Sequence, residues 1–219
     1  MQLYLDTGNI DEIKEIKGWG ILDGVTTNPS LLAKEKKRGD YRGIIREICE
    51  IVQGPVSTEV TAEDTEGMLK QARILTGISE HVVIKIPCTP EGLKATTTLF
   101  EEGLPVNMTL VFSPIQALLA ANAGANYVSP FVGRLDDIGH EGFDEVSKIR
   151  TIYDNYDIDT EIIFASTRHS EHVLQAALLG ADICTMPFSV FRQIVKHPLT
   201  DTGIKRFLDD WKQTGFKID

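Results

Sequence analysis

Short apolar runs alternate with longer amphipathic stretches along the whole chain. The short runs predict strands over Gln2–Leu5, Ile21–Val25, Val56–Val60, His81–Ile86, Val106–Leu110, Tyr127–Pro130, Glu161–Ala165 and Ile183–Met186. Between them, apolar positions recur at helical spacing. Tyr41–Val52 is the clearest case, with Ile44, Ile45, Ile48, Ile51 and Val52 on one side. Asp11–Lys17, Asp64–Leu75, Glu91–Glu102, Pro114–Asn122, Glu141–Tyr153 and His169–Leu179 continue the alternation. Eight strands alternating with helices predict an α/β fold, a closed parallel (β/α)8 TIM barrel. An open doubly wound sheet is the alternative. No linker or low-complexity stretch divides the chain, so residues 1–219 read as a single domain.

The tail adds one element. After a helical stretch near Phe188–Val195 and the pair His197-Pro198, residues 200–214 predict an additional C-terminal amphipathic helix that Thr200 or Asp201 can cap. Ile204, Phe207, Leu208 and Trp211 fall at i, i+3, i+4 and i+7 and make one apolar stripe. The stripe suits its own barrel or a neighbouring subunit, and spacing does not choose between them.

Barrel strands alternate side chains between the interior and the helix layer, and active groups sit at the carboxyl ends of the strands. In the fourth strand, Val82, Ile84 and Ile86 take the outer parity and Val83 and Lys85 the inner one. An inward lysine is unusual because an unpaired buried ammonium is costly. Burial favours the neutral form of an amine, which is the nucleophile. A snorkelling lysine or a structural ion pair is the plain alternative. The other strands place further polar groups at the same mouth. Asp6, Thr26, Asn28, Glu59, Asn107, Thr109 and Ser129 share the inner parity, Leu110 falls on the outer one, and Phe131, Arg134, Ser166 and Arg168 follow at the later strand ends. Asp6 and Asn28 are also plausible turn formers. An amine that condenses with a carbonyl gives an iminium, an electron sink for breaking or forming the adjacent carbon–carbon bond. Asp6 or Glu59 could move the protons. Arg134 and Arg168, with the Ser166 hydroxyl, could bind a phosphate.

Charge narrows what this mouth can take. With 22 basic and 32 acidic side chains the formal net charge is −10, which argues against nucleic acid or an anionic membrane as partner. An anionic substrate then needs a local positive site. The basic run Lys34, Lys36, Lys37 and Arg38 reads as a solvated helix end or loop. No apolar run approaches the ~20 residues of a membrane helix, and no signal-peptide pattern precedes MQLYLD. Cys49, Cys88 and Cys184 lie far apart in apolar stretches, as free thiols in a reducing compartment do. The protein therefore reads as cytoplasmic. His169 and His172 lie at i, i+3 early in a helix, with no zinc-spaced partner, and read as a solvated helix start rather than a metal site.

Several segments together resemble the small transaldolases, the subfamily that also includes the fructose-6-phosphate aldolases. They are LDTGNIDEI at Leu5–Ile13, DGVTTNPSLL at Asp23–Leu32, VVIKIPCTPEGLKA at Val82–Ala95, NMTLVFSPIQALLAANAGA at Asn107–Ala125, YVSPFVGRLDDIG at Tyr127–Gly139, ASTRH at Ala165–His169 and the late HPLTDTG. The resemblance covers essentially the whole chain. It implies that Lys85 is the Schiff-base lysine, that Asp6 exchanges a proton with the sugar C4 hydroxyl, and that Glu59 and Thr109 share a catalytic water. It further implies that Thr26, Asn28, Asn107 and Ser129 hold substrate hydroxyls or orient the lysine, and that Arg134, Ser166 and Arg168 bind the phosphate. The implied reaction transfers a dihydroxyacetone unit without a cofactor or metal. Sedoheptulose 7-phosphate and glyceraldehyde 3-phosphate would give erythrose 4-phosphate and fructose 6-phosphate, a step of the non-oxidative pentose phosphate pathway. A homo-oligomer is implied as well, a pentamer or decamer.

Within that subfamily, transaldolases resemble this chain in carrying Glu at position 59 and Phe at position 131. The aldolases typically carry Gln and Tyr there. Cys88 departs from the pattern, where Met or another apolar residue is usual, and reads as packing. Three functions are thus to be separated. One is a transaldolase. The second is the lyase that cleaves fructose 6-phosphate. The third is a non-catalytic barrel that binds a sugar phosphate and has no need of Lys85, Asp6 and Glu59 together.

Overall fold

The computed structural model describes residues 1–218. Its strands are β1 (Gln2–Asp6), β2 (Gly24–Thr26), β3 (Val56–Glu59), β4 (Val82–Pro87), β5 (Val106–Val111), β6 (Tyr127–Pro130), β7 (Glu161–Phe164) and β8 (Ile183–Met186). They pair in sequence order, all parallel, and β8 closes on β1. The closed parallel barrel replaces the open-sheet alternative. The helices are α1 (Ile10–Gly18), α2 (Pro29–Lys34), α3 (Tyr41–Val52), α4 (Thr65–Thr76), α5 (Pro90–Glu101), α6 (Pro114–Asn122), α7 (Val132–Asp136), α8 (Gly142–Asn155), α9 (Ser170–Leu179), α10 (Phe188–Ile194) and α11 (Pro198–Thr214). Among the described residues no helix is long and apolar enough to cross a membrane.

Local chemistry explains the starts of many helices. Asn9, Asn28, Asp40, Asp64, Thr89 and Ser113 each accept a backbone N–H of the first turn. Such a cap is worth about 1 kcal/mol. Pro29, Pro90 and Pro114 follow three of these caps, where the missing N–H has no helical partner to lose. The basic run from Lys34 to Arg38 is the end of α2 followed by a 3-10 turn.

Two apolar layers result from the alternation along the strands. Leu5, Val25, Val56, Ile84, Met108, Val128, Ile162 and Cys184 face outward and pack with α1, α3 and α8 residues such as Ile13, Ile48 and Ile149. Tyr4, Ile163, Ala165 and Ile183 fill the barrel interior, with Tyr127 and Phe131 against them. Burying each large side chain of the outer layer stabilises the fold by roughly 1.5–3 kcal/mol.

Departures from the sequence reading have local causes. The second strand begins at Gly24, not Ile21, and Ile21 is exposed. The Tyr4 ring lies across this position: a Cβ on Gly24 would come within 2.6 Å of Tyr4 Cζ. In β5 the expected outward Leu110 is displaced by a register shift. Leu110 takes a positive φ of 55°, and Val111 enters the outer core in its stead. α11 begins two residues before the predicted 200–214 helix, and its cap is His197, whose Nδ1 accepts the Leu199 N–H, not Thr200 or Asp201. The α11 stripe does not bury itself on its own barrel: Ile204, Phe207, Leu208 and Trp211 all remain exposed.

Candidate active site

Strand register sets the central pair. Glu59 on β3 lies beside Lys85 on β4, which in turn lies beside Asn107 on β5. Lys85 is buried inside the barrel, 4% exposed. Its Nζ lies 3.1 Å from Glu59 Oε2 and donates to the Thr27 carbonyl at 3.0 Å. The Phe131 ring centroid is 5.9 Å from the same nitrogen. The amine is therefore charge-balanced by a carboxylate, not isolated among apolar neighbours as its strand alone suggested. This is the arrangement in which a lysine can hand a proton to a neighbour before it attacks a carbonyl.

The second carboxylate comes from the end of β1. Thr26 Oγ1 donates to Asp6 Oδ1 at 2.8 Å and lies 2.6 Å from Thr185 Oγ1. Burial pushes the Asp6 carboxyl above the usual carboxylate range. Lys85, the Thr26 hydrogen bond, Arg168 and Lys34 pull the other way without cancelling it. A carboxylate so raised accepts and returns protons closer to neutral pH.

A hydrogen-bonded row runs behind the lysine. Asn107 Nδ2 donates to Ser57 Oγ at 3.0 Å, and Ser129 Oγ donates to Asn107 Oδ1 at 2.7 Å. The row fixes the Asn107 amide between Ser57 and Ser129. Thr109 Oγ1 is buried with no hydrogen-bond partner among the described residues. Asn28 does two things at once: its Oδ1 caps α2 through Leu31 N at 3.0 Å, while the residue lines the mouth.

The basic side of the mouth is built from α7 and the β7–α9 loop. The Arg134 guanidinium lies over the same Phe131 ring, 5.1 Å from its centroid. Arg168 pairs with Asp137 at 2.8 Å. Ser166 adopts a positive φ of 63°, uncommon for a residue with a side chain and costing about 1–3 kcal/mol. Its carbonyl packs directly on Gly133, where a Cβ would come within 2.1 Å.

These groups enclose a cavity of about 210 Å³ at the carboxyl ends of the strands. Asp6, Thr26, Asn28, Lys85, Ser129, Phe131, Arg134, Ser166 and Arg168 all line it. Of the other predicted residues, Asn107 and Thr109 stand behind its wall, and Glu59 lines a neighbouring cavity of about 310 Å³ with Tyr41 and Arg42. A larger concavity, about 480 Å³, lies around the starts of β6 and β7 at the opposite end. Barrel chemistry is not found at that end.

Sequence reasoning missed Thr185 and His172. Thr185 shares the inner parity of Ile183, so treating the eighth strand like the other seven finds it. The sequence places His172 in a solvated helix start. That holds for His169, which is exposed, and fails for His172, which is 4% exposed and lies with Nε2 2.9 Å from Asp136 Oδ2. Its partner sits in α7, a short helix with no signal in the pattern of apolar positions.

Fold and site define a class: a (β/α)8 barrel whose polar groups converge around a buried amine at the carboxyl ends of its strands, equipped for a carbonyl substrate. The chain belongs to the transaldolase/fructose-6-phosphate aldolase family, whose model matches residues 3–218. It is 59% identical over 213 residues to a probable transaldolase of Aquifex aeolicus (strain VF5), covering 97% of each chain. It is 57% identical to a probable transaldolase of Thermoanaerobacter sp. (strain X514) over 218 residues, 100% of each chain to the nearest per cent. A probable transaldolase of Petrotoga mobilis (strain DSM 10674 / SJ95) is also 57% identical, over 97% of this chain and 96% of its own.

Proposed function

We propose that this protein is a transaldolase that moves a dihydroxyacetone unit between sugar phosphates through an imine on Lys85. The observation that carries the reading is the pairing of Lys85 with Glu59 inside the barrel, with Lys85 and Asp6 lining one cavity. Lys85 passes a proton to Glu59 and attacks the C2 ketone of the donor. Loss of water gives the iminium, and a water shared by Glu59 and Thr109 carries the protons of this step and of its reversal. Asp6 takes the proton of the C4 hydroxyl, the C3–C4 bond breaks, and the aldose phosphate leaves. Its electron pair is held as an enamine on the lysine nitrogen. The enamine carbon then attacks the acceptor aldehyde, Asp6 returns its proton to the new alkoxide, and hydrolysis frees the product ketose. Thr26, Asn28, Asn107 and Ser129 hold hydroxyls or fix the lysine. Arg134, Ser166 and Arg168 take the phosphate.

Phe131 favours transfer over simple cleavage. Its ring lies against the lysine nitrogen and offers no hydroxyl. In the family resemblance the lyases carry Tyr there and Gln for Glu59. An enamine with no nearby donor waits for an aldehyde and is not protonated and released. The chain works as one catalytic domain, as a homo-oligomer in which α11 reaches a neighbour, within the reducing cytoplasm that its free thiols suit. A coupled assay with fructose 6-phosphate tests the reaction. Glyceraldehyde 3-phosphate should appear only when erythrose 4-phosphate is supplied as acceptor. Rapid release of free dihydroxyacetone without an acceptor would make the protein the aldolase instead.

A further inference from the structure

We propose that neutral His172, which does not line the substrate cavity, is the positioning residue that holds the phosphate-binding loop Ser166–Arg168 in register with α7, and that its protonation releases that loop. The inference rests on the reading of Arg168 as a phosphate ligand. His172 Nδ1 accepts the backbone N–H of Arg168 at 3.2 Å, and its Nε2 faces Asp136 Oδ2 at 2.9 Å. These two contacts fix one tautomer: the proton is on Nε2, and Nδ1 is an acceptor. The imidazole thus joins the loop carrying Ser166 and Arg168 to the helix carrying Arg134. Asp136 is itself held, because its Oδ1 accepts the Gly142 N–H at 2.9 Å. The Arg168–Asp137 pair makes a second, exposed tie between the same two segments. The buried histidine is the tie that water cannot replace.

Protonation of Nδ1 would set two donors face to face, and the Arg168 N–H would lose its partner. Asp136 faces the ring from α7, Arg168 and His169 from the β7–α9 loop, and His140, Glu141 and Asp144 line the small cavity beside it. Phe164 of β7 covers the ring edge-on. Burial, with His169 and Arg168, holds the imidazole below its ordinary range against the pull of Asp136. The bracket is therefore intact at neutral pH and opens only on the acid side.

Two variants separate this role from packing. In His172→Asn the amide oxygen stands near the place of Nδ1 and accepts the same N–H, the contact with Asp136 is lost, and the side chain does not titrate. In His172→Leu the acceptor is gone. The KM for fructose 6-phosphate is measured against pH for all three proteins, with erythrose 4-phosphate as acceptor and a thermal melt to verify folding. Borohydride trapping of non-phosphorylated dihydroxyacetone on Lys85 is the second readout. At neutral pH, Asn, which keeps the Arg168 half of the tie, should raise KM by about threefold and Leu, which keeps neither half, by about tenfold. The wild-type KM should climb on the acid side more than that of Asn, since the phosphate of the substrate titrates alike in both. Dihydroxyacetone trapping should be equal in all three. Equal KM values for Asn and Leu, or the same acid climb in wild type and Asn, would overturn the role of His172 alone. Absence of any Lys85 adduct in the wild type would instead overturn the reading of the site on which the inference rests.

Discussion

Asp6 and Lys85 line one cavity yet carry opposite structural costs. The Lys85 ammonium has Glu59 at 3.1 Å and the Thr27 carbonyl at 3.0 Å. The Asp6 carboxylate has a single hydroxyl from Thr26, and its burial outweighs the help of Lys85. The sign of the consequence follows from linkage. A carboxyl whose folded pKa lies above its unfolded value favours the native state while protonated. That contribution is lost as pH rises from the unfolded value through the folded one. At neutral pH the ionised Asp6 therefore destabilises the fold. Asp6→Asn, which keeps an acceptor for Thr26, should raise Tm at neutral pH and leave it nearly unchanged at strongly acidic pH. A gain of about 1 kcal/mol would correspond to about 2–4 °C in a chain of this size. The same variant should lose carbon–carbon bond chemistry far more than imine formation. Melting curves at two pH values, with trapping and turnover measured side by side, check both halves. In wild type, turnover should fall as pH drops through the raised Asp6 range, because the base must be ionised to take the C4 proton.

Elements bring these residues together with different degrees of visibility in the sequence. The strands were legible because each is an apolar run with a parity that separates Ile84 from Lys85 and Val56 from Ser57. The polar exceptions to that parity, Asp6, Glu59, Lys85 and Asn107, could be read as a mouth before any fold was known. What was not legible depends on contacts distant in sequence. The register shift at Leu110 places Val111 in the outer core, and no local signal marks it. β2 starts at Gly24, where the Tyr4 ring leaves no room for a side chain. The short helix α7 is held by what it touches, namely Ser166, Arg168 and His172. Its Gly133 is the contact point, and Gly133→Ala is the element-scale test. A methyl group there meets the Ser166 carbonyl backbone, which cannot rotate away. The substitution should destabilise the protein by about 1–3 kcal/mol and raise KM for phosphorylated sugars more than it lowers kcat. A KM change equal for phosphorylated and non-phosphorylated donors would mean that α7 does not place the phosphate arm.

On the scale of the whole molecule, the barrel and its tail behave differently. The barrel core consists of two apolar layers, while Phe100, Ile115, Leu119 and Leu178 on its helices stay exposed. The stripe on α11 is left open, with Phe207 71% exposed and Leu199 and Phe216 also exposed. An exposed apolar stripe is where the proposed homo-oligomer would associate. Phe207→Asp combined with Trp211→Asp should lower the mass measured by light scattering while leaving the far-ultraviolet circular dichroism of the barrel intact. An unchanged mass would overturn the proposed role of α11 in association. The net charge of −10 belongs to this scale too. The protein repels anions at long range, so under the proposed function the capture of a sugar phosphate would fall to the local pair Arg134 and Arg168. That capture would serve one proposed bond, the imine on Lys85. Borohydride reduction in the presence of fructose 6-phosphate, followed by peptide mass spectrometry, reads it directly. A reduced adduct on Lys85, absent from Lys85→Met, is the predicted result. An active protein that carries no adduct there, or carries it on another lysine, would contradict the mechanism.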